Sequence, residues 1–210
     1  VTGTVSRVGD FRGVDGRFAP AIGIEADAFA TQKIEPTPGA DWQSLSLDDF
    51  ITAVQMAGIV GMGGAAFPAH VKLSVPEGTH IRHLLVNGAE CEPYLTNDHR
   101  LMLERPEALL EGAEIMRQKL GAEESIIGVE MNKPDAIETL RKHIKPNAPV
   151  RVVPLKVKYP QGAEKMMIKS VFDVEVPAGQ LPRDVGVNVN NVGTIVAIAD
   201  YFLRGMPLIE

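Results

Sequence analysis

The spacing of apolar residues changes once along the chain, near residue 46. Before that point, short runs of alternating apolar and polar residues are separated by glycine-rich turns, which is typical of β-strands. After it, apolar runs of strand length alternate with longer segments in which apolar residues recur at helical spacing. This alternation predicts βαβ units and a mainly parallel sheet.

The second part of the chain therefore has a predicted α/β fold, with a Rossmann-like, mainly parallel sheet and flanking helices. Ser46 and Asp49 have the spacing of a capping box at the start of a first helix, and Gly58 suits its end. The further predicted helices cover residues 106–121, 134–144, 163–172 and 192–204. The predicted strands cover residues 81–87, 125–132, 150–157 and 185–191.

Residues 1–45 are expected to form a short β-rich remnant and a linker ahead of a main domain over residues 46–210. Two or three strands cannot form an independent core, so this segment is expected either to be the remnant of a small β domain or to pack on the part of the chain that follows. The chain begins inside a strand-like pattern at Val1, without an initiator methionine. We therefore expect it to be a piece of a longer protein.

Composition excludes several classes of function. The 210 residues are 45% hydrophobic and 23% charged, which is ordinary for a globular protein with a sizeable core. The net charge of −6 argues against a nucleic-acid-binding surface. No apolar run approaches the roughly 18 residues of a membrane span, so direct membrane insertion is not expected. The single cysteine, Cys91, cannot form a disulfide framework or a four-cysteine metal site within this chain.

The most distinctive segment is GIVGMGGAAFP at residues 58–68. Glycine lacks a Cβ atom and tolerates positive φ, so Gly61, Gly63 and Gly64 can turn backbone N–H groups toward a flat ring or a phosphate. Pro68 suits the first turn of a following helix, and a glycine turn that leads into a helix can bind an anion. The alternative is a glycine-rich connection between two helices that binds no ligand.

Three predicted strands are followed by loops that are rich in acids, amides and glycines. These loops cover residues 87–93, 158–165 and 190–194. In a parallel sheet all three lie at the same edge, which is where ligands bind in α/β folds. Amide side chains there can hold hydroxyls and a phosphate, and carboxylates can accept hydrogen bonds from ribose. Taken singly, each acid could equally be a solvated loop residue.

Five motifs at these positions resemble one protein family. They are GGAAFP at 63–68, VNGAECEPYLTNDHR at 86–100, KYPQGAEKMMI at 158–168, VPAGQLPRDVG at 176–186 and VNNVGT at 189–194. In this order and spacing they resemble the C subunit of the Rnf-type electron transport complex. That protein is similar to the flavin-carrying, NADH-oxidising subunit of respiratory complex I. The resemblance extends over the whole chain.

The resemblance implies a site for FMN and NADH. The glycine loop would lie against the flavin ring and phosphate, with an aromatic residue beside the nicotinamide and a lysine near the flavin. The first strand-end loop would hold flavin and NADH ribose groups, the second would form another wall, and the third would hold the ribityl phosphate. In that order, the implied residues are Gly61, Gly63, Gly64, Ala65, Phe67 and Lys72, then Asn87, Glu90 and Glu92, then Tyr159 and Glu164, and finally Asn190, Asn191 and Thr194.

The resemblance also implies an activity and a setting. Members of the family move electrons between NADH and a ferredoxin-linked chain through FMN and two [4Fe–4S] clusters. This chain would be an NADH-dependent oxidoreductase component of a translocase, a peripheral protein at the cytoplasmic face of the cell inner membrane. Its partners would be the other subunits of the Rnf-type complex. The clusters would lie outside this chain, which has one cysteine. No side chain need act as a catalytic base, because the protein mainly orients the reactants.

Two positions depart from the complex I relatives, which have an arginine at the position of Met62 and an aspartate at that of Ala89. Both changes remove polar contacts to FMN. Three other interpretations stay open: a non-redox module that binds a nucleotide or sugar phosphate, a structural subunit that has lost its flavin, and a cysteine nucleophile. In the nucleophile interpretation, Cys91 would pair with His83 or His99, because a thiolate needs a nearby base. The simpler alternative is that Cys91 is a small apolar residue in a tight loop.

Overall fold

The computed structural model describes residues 2–30, 39, 41–76 and 78–208. The chain divides into two compact units, Val1–Pro36 and Thr37–Glu210. In the first unit, β1 (Gly3–Arg12) and β2 (Phe18–Ala26) form an antiparallel hairpin. Most of their side chains are exposed, as expected for two strands that cannot bury a core between them. The domain division expected after residue 45 stays a prediction.

The second unit is a layered α/β domain. Its strands are β3 (His83–Gly88), β4 (Glu124–Glu130), β5 (Val150–Leu155) and β6 (Val187–Asn191). Its α-helices are α1 (Leu47–Met56), α2 (Ala69–Leu73), α3 (Asn97–Glu104), α4 (Pro106–Leu120), α5 (Pro134–His143), α6 (Glu164–Phe172) and α7 (Val192–Arg204). The predicted α/β fold is confirmed. Among the described residues, no helix is long and apolar enough to cross a membrane.

The four strands of the second unit form one parallel sheet in the order β5–β4–β3–β6. β3 lies inside the sheet, where Leu85 is paired with Ile126 of β4 and with Val189 of β6. Because all four strands run in the same direction, the loops that leave their carboxyl ends meet at one edge. The prediction that three polar loops share an edge of the sheet is therefore confirmed.

Side-chain alternation along the strands divides the core between the two faces of the sheet. Leu84 and Val86 belong to a large cluster on one face that includes residues of α1, α3, α4, α5 and α7. Leu85 belongs to a smaller cluster on the other face, with Met167 and Ile168 of α6. Both faces are covered, which explains why the strands are nearly continuous apolar runs.

Local sequence signals set the ends of α1 as predicted. The Ser46 hydroxyl oxygen accepts a hydrogen bond from the Asp49 N–H at 3.1 Å, and the hydroxyl donates to the Asp49 carboxylate at 2.7 Å. Phe50 and Val54 are fully buried on the inner face of the helix. The chain turns away at Gly58, whose φ of 70° is a left-handed conformation that glycine adopts without strain.

α3 lies where the sequence predicts only a loop. Thr96, which precedes the helix, makes no side-chain capping bond. Instead the carboxylate of Glu90 accepts hydrogen bonds from the N–H groups of Asp98 at 2.8 Å and His99 at 3.1 Å. A cap that comes from outside the helix leaves no local signal in the sequence. The start of α2 also differs slightly from the prediction, because Pro68 is the N-cap of this helix rather than part of its first turn.

The contact between α4 and α7 generates a stability prediction. A Cβ atom on Gly112 of α4 would lie 2.1 Å from the carbonyl oxygen of Ile195 in α7. We expect Gly112→Ala to lower the free energy of unfolding by about 1–3 kcal/mol because the two helices must move apart. This outcome runs against helix propensity, which favours alanine. Urea unfolding followed by circular dichroism measures the change.

Gln118→Ala, at an exposed position of the same helix, is the control for this experiment. Exposed positions of this kind usually change stability by no more than about 0.5 kcal/mol. If Gly112→Ala were as stable as this control, or more stable than the wild type, the inference that α4 and α7 approach closely at Gly112 would be wrong.

Candidate functional site

A cavity of about 520 Å³ opens at the carboxyl edge of the sheet. The glycine loop before α2, the loops after β3 and β5, and the junction of β6 and α7 contribute to its lining. Four stretches that are distant in sequence therefore meet where α/β folds bind ligands. Six of the predicted site residues line this cavity: Gly63, Gly64, Asn87, Glu90, Glu92 and Asn191.

The glycine loop is anchored by α7. The N–H of Met62 donates to the Thr194 hydroxyl at 3.0 Å, and this hydroxyl donates to the carbonyl of Val60 at 3.1 Å. The N–H of Gly61 donates to the carbonyl of Phe67 at 2.7 Å, which closes the loop on itself. Thr194 is buried at 1% exposure, so its hydroxyl holds the protein loop and does not line the cavity.

Gly63 and Gly64 leave space on the cavity side of this loop. Gly64 has a φ of 129°, and a Cβ atom built on it would have no neighbour within 4 Å. A Cβ atom on Gly63 would lie 3.5 Å from the Cβ of Asn191, which is an ordinary contact. A ligand in the cavity can therefore approach the backbone of both residues closely, as their lack of a side chain indicates.

The side chain of Asn87 joins two of the strand-end loops. Its amide nitrogen donates to the carbonyl of Gly162 at 2.8 Å, and its amide oxygen accepts from the N–H of Ala89 at 3.0 Å. The sulfur of Cys91 accepts a hydrogen bond from the N–H of Gly162 at 3.0 Å. These bonds hold the loop after β3 against the loop after β5.

The two histidines considered as partners of the cysteine make other contacts. His99 Nε2 lies 2.9 Å from Oδ1 of Asp135 in α5. The ring of His83 stacks on Phe172, with 4.7 Å between the ring centroids. The contacts of Cys91 and of both histidines thus give no support to a cysteine nucleophile, and they favour a structural role for the thiol in the loop.

Glu90 belongs to a buried charge cluster. Its side chain is 6% exposed, and one of its oxygens lies 3.9 Å from Nζ of Lys133, in addition to the two N–H bonds at the start of α3. The same ammonium group lies 3.1 Å from the carboxylate of Glu130, at the end of β4. Two buried carboxylates share one buried cation, which offsets part of the cost of removing their charges from water.

Asn191 and Asp98 form a further polar contact at the cavity. The amide oxygen of Asn191 caps α7 by accepting from the N–H of Gly193 at 2.7 Å, and its nitrogen donates to Oδ2 of Asp98 at 2.6 Å. Burial raises the pKa of Asp98 to about 6. The hydrogen bond from Asn191 opposes this rise, and the negative charge of Glu90 adds to it.

Lys72 and Glu164 pair with each other and lie outside the cavity lining. The ammonium group of Lys72 donates to the Glu164 carboxylate and, at 2.8 Å, to the carbonyl of Val189 in β6. Their side chains are 30% and 40% exposed, so the pair is only partly removed from water. Ala163, the neighbour of Glu164, does line the cavity.

Eight of the predicted site residues are not among those that line the cavity. The side chains of Phe67 and Tyr159 are exposed, at 51% and 75%. Asn190 is buried and donates to the amide oxygen of Asn188 at 2.5 Å. The roles of all eight such residues stay predictions. They are Gly61, Ala65, Phe67, Lys72, Tyr159, Glu164, Asn190 and Thr194.

Asp98 and Lys133 are residues of this site that the sequence does not single out. Asp98 lines the cavity, and its position follows from α3, for which the sequence has no local signal. The motif at residues 86–100 contains it, and this was the available signal. Lys133 lies in the turn between β4 and α5, so the rule about carboxyl edges could have identified it.

Comparison with known proteins connects this site to a family. Residues 54–200 match the family model described as the Nuo51 FMN-binding domain. The chain is 45% identical over 210 residues to the C subunit of the proton-translocating ferredoxin:NAD(+) oxidoreductase complex of Clostridium ljungdahlii, a match that covers 100% of this chain and 46% of that protein. It is 42% identical over 208 residues to the Na(+)-translocating counterpart of Acetobacterium woodii, covering 99% of this chain and 47% of that protein.

The predicted resemblance to the C subunit of Rnf-type complexes is confirmed by these relatives, and the chain spans about half the length of the curated relatives it matches. Among solved structures, an NAD+-reducing [NiFe]-hydrogenase in the H2-reduced state matches with a TM-score of 0.61 and 24% identity, over 78% of this chain and 32% of that one. This likeness supports the fold alone. Because the family model covers most of the sequence, the chain belongs to the family of the Nuo51 FMN-binding domain.

Proposed function

We propose that this chain is the FMN- and NADH-binding part of an electron-transfer subunit in an Rnf-type complex, where electrons move between NADH and a ferredoxin-linked chain. The observation that carries the proposal is the cavity at the carboxyl edge of the sheet, lined by two backbone-accessible glycines and by amide side chains. It occurs in a chain that belongs to a family of FMN-binding domains. Two relatives are subunits of ferredoxin:NAD(+) oxidoreductase complexes.

The residues around the cavity fit a flavin. The volume of about 520 Å³ lies within the range of about 300–1,000 Å³ that is usual for ligand pockets. The space beside Gly63 and Gly64 would be reduced by any Cβ atom there, which suits a flat ring against the backbone. Asn87 and Asn191 each donate one N–H of the amide to the protein, which leaves a second N–H for ribityl hydroxyls.

The predicted site residues divide into two groups in this proposal. Gly63, Gly64, Asn87, Glu90, Glu92 and Asn191 would contact FMN or NADH directly, because they line the cavity. The others would contact the ligands from outside the lining or act indirectly. Thr194 acts by holding the glycine loop in place, and Glu90, besides lining the cavity, holds the start of α3.

FMN, when bound, supplies a ring that accepts a hydride from NADH and passes electrons on singly. The chain's part is to place the nicotinamide at about 3–3.5 Å from its target and to exclude water. Phe67 and Tyr159 present exposed aromatic faces on the loops that precede α2 and α6, and such faces suit the rings of NADH.

The lining is short of polar contacts for the phosphate of FMN. Met62 lines the cavity and its sulfur would lie 3.1 Å from a Cβ atom on Gly193, so it covers the start of α7. Ala89, also in the lining, adds no polar group. Backbone N–H groups of the glycine loop are the donors that remain for the phosphate. We therefore propose that FMN binds reversibly.

The partners and location are part of the proposal. The named relatives belong to ion-translocating complexes, which supports the other subunits of such a complex as partners. We place this chain at the cytoplasmic face of the inner membrane as a peripheral component. The [4Fe–4S] clusters of the full-length protein would lie outside this chain, since Cys91 alone cannot hold one.

Gly63→Val tests the FMN site. The added side chain would occupy cavity space, while its Cβ atom makes only an ordinary contact with Asn191. We expect the affinity for FMN to fall about tenfold or more, which corresponds to about 1.4 kcal/mol, with little change in melting temperature. Quenching of flavin fluorescence measures the affinity. Ser170→Val, at an exposed position of α6, is the control.

Unchanged FMN affinity in Gly63→Val would place the flavin elsewhere. If mass spectrometry of the ligand released from purified protein identified a nucleotide or sugar phosphate instead of a flavin, the non-redox interpretation would replace this proposal.

NADH oxidation has its own test. Under anaerobic conditions, NADH should bleach the visible absorbance of the FMN-loaded chain. We expect Lys72→Met to lower the reduction potential of the bound flavin, because a positive charge beside the site favours added electrons. Lys169→Met, an exposed lysine of α6, should leave the potential unchanged. Absence of bleaching would exclude NADH oxidation by this chain.

A further inference from the structure

The lining of the cavity is acidic. Glu90, Glu92 and Asp98 contribute carboxylates to it, and among the described residues that line it there is no lysine or arginine. A phosphate group in the cavity would therefore meet negative charge with little compensation from cationic side chains. This repulsion should therefore distinguish two ligands that share the same ring but differ in whether they carry a phosphate.

The three carboxylates differ in how far their charge is balanced. Glu90 accepts two backbone N–H bonds and lies beside the ammonium group of Lys133. Glu92 is exposed, so water screens its charge. Asp98 is partly buried, and its hydrogen-bonding partner is the uncharged amide of Asn191. Asp98 is thus the carboxylate in the lining whose charge is least balanced.

The groups that act on Asp98 come from the start of α7, from the loop after β3 and from the turn before α5. Burial raises its pKa to about 6, the hydrogen bond from Asn191 lowers the pKa, Glu90 raises it and Lys133 lowers it. His99, on the same helix, is paired with an acid of α5. α4 follows directly after the opposite end of α3. With a pKa of about 6, the carboxyl group of Asp98 therefore changes from neutral to ionised between about pH 5 and pH 7.

We propose that Asp98 determines how strongly this cavity binds ligands that carry a phosphate group. The ionised carboxylate repels the phosphate, whereas the neutral acid keeps its contact with Asn191 without that repulsion. Binding of a phosphate-bearing flavin is then accompanied by uptake of a proton from solvent onto a carboxyl oxygen of Asp98. This inference rests on the proposed function, because it concerns the flavin that the cavity holds.

FMN and riboflavin are a matched pair of ligands because they differ only in the phosphate. Their dissociation constants can be measured by fluorescence quenching for the wild type and for Asp98→Asn, which keeps an oxygen acceptor for Asn191. At pH 8 we expect Asp98→Asn to bind FMN about fivefold or more tightly than the wild type, with riboflavin unchanged. At pH 5 the difference for FMN should disappear, because the wild-type carboxyl group is then largely neutral.

Two controls isolate the effect of Asp98. The phosphate of the ligand has its own second pKa of about 6. Its titration affects both proteins equally, so the comparison between variants removes it. Asp173→Asn changes an aspartate that is 92% exposed at the end of α6, and it should leave both affinities as in the wild type.

Thermal unfolding without ligand provides a second readout. Folding raises the pKa of Asp98 from 3.8 to about 6, so the folded state binds a proton at this carboxyl group more tightly than the unfolded state does. The stability that comes from this bound proton is lost as the pH rises through about 6. Asp98→Asn should therefore melt at a higher temperature than the wild type at pH 8. Near pH 4 the melting temperatures of the two proteins should approach each other.

The outcomes separate this inference from the proposed function. If Asp98→Asn and the wild type had the same ratio of FMN to riboflavin affinity at every pH, Asp98 would not control the response to phosphate, and the inference would be overturned. If neither protein bound either flavin at any pH, the proposed function itself would fail, and the inference would fail with it.

Discussion

Parallel pairing of β3 with both of its neighbours is the constraint on which the site depends. Together with the parallel pairing of β5 on β4, this pairing brings the carboxyl ends of all four strands to one edge, where the loops after β3 and β5 and the junction of β6 and α7 line one cavity. It also buries both faces of the sheet, because each crossover places a helix on one face or the other. The position of the cavity is therefore a consequence of strand direction.

Polar side chains at this edge mainly hold the loops to one another. Asn87 connects the loops after β3 and β5, Glu90 holds the start of α3, and Thr194 holds the glycine loop to α7. The bonds of Asn87 and Thr194 join segments that are distant in sequence, and those of Glu90 fix the turn into α3, so the walls of the cavity are positioned before a ligand arrives. Such preorganisation lowers the cost of binding.

Among the described residues that line the cavity, the carboxylates are the charged side chains. Met62 and Ala89 add no charge to the lining, and its described residues place no lysine or arginine beside the carboxylates of Glu90, Glu92 and Asp98. Family membership and the open glycine backbone support a flavin. The acidic lining bears on a different property, which is how the site responds to a phosphate and to pH.

Apart from α3, the sequence by itself determined the order of strands and helices in the second unit, the ends of α1 at Ser46 and Gly58, and the meeting of three polar loops, because apolar spacing and glycine are local signals. Only the tertiary structure decided how the polar side chains are used. It directs Glu90 to the N–H groups of α3, buries Asn190 against Asn188, and brings Asp98 to the cavity. Hydrogen bonds form between groups that folding brings within about 3 Å, and no local pattern encodes that distance.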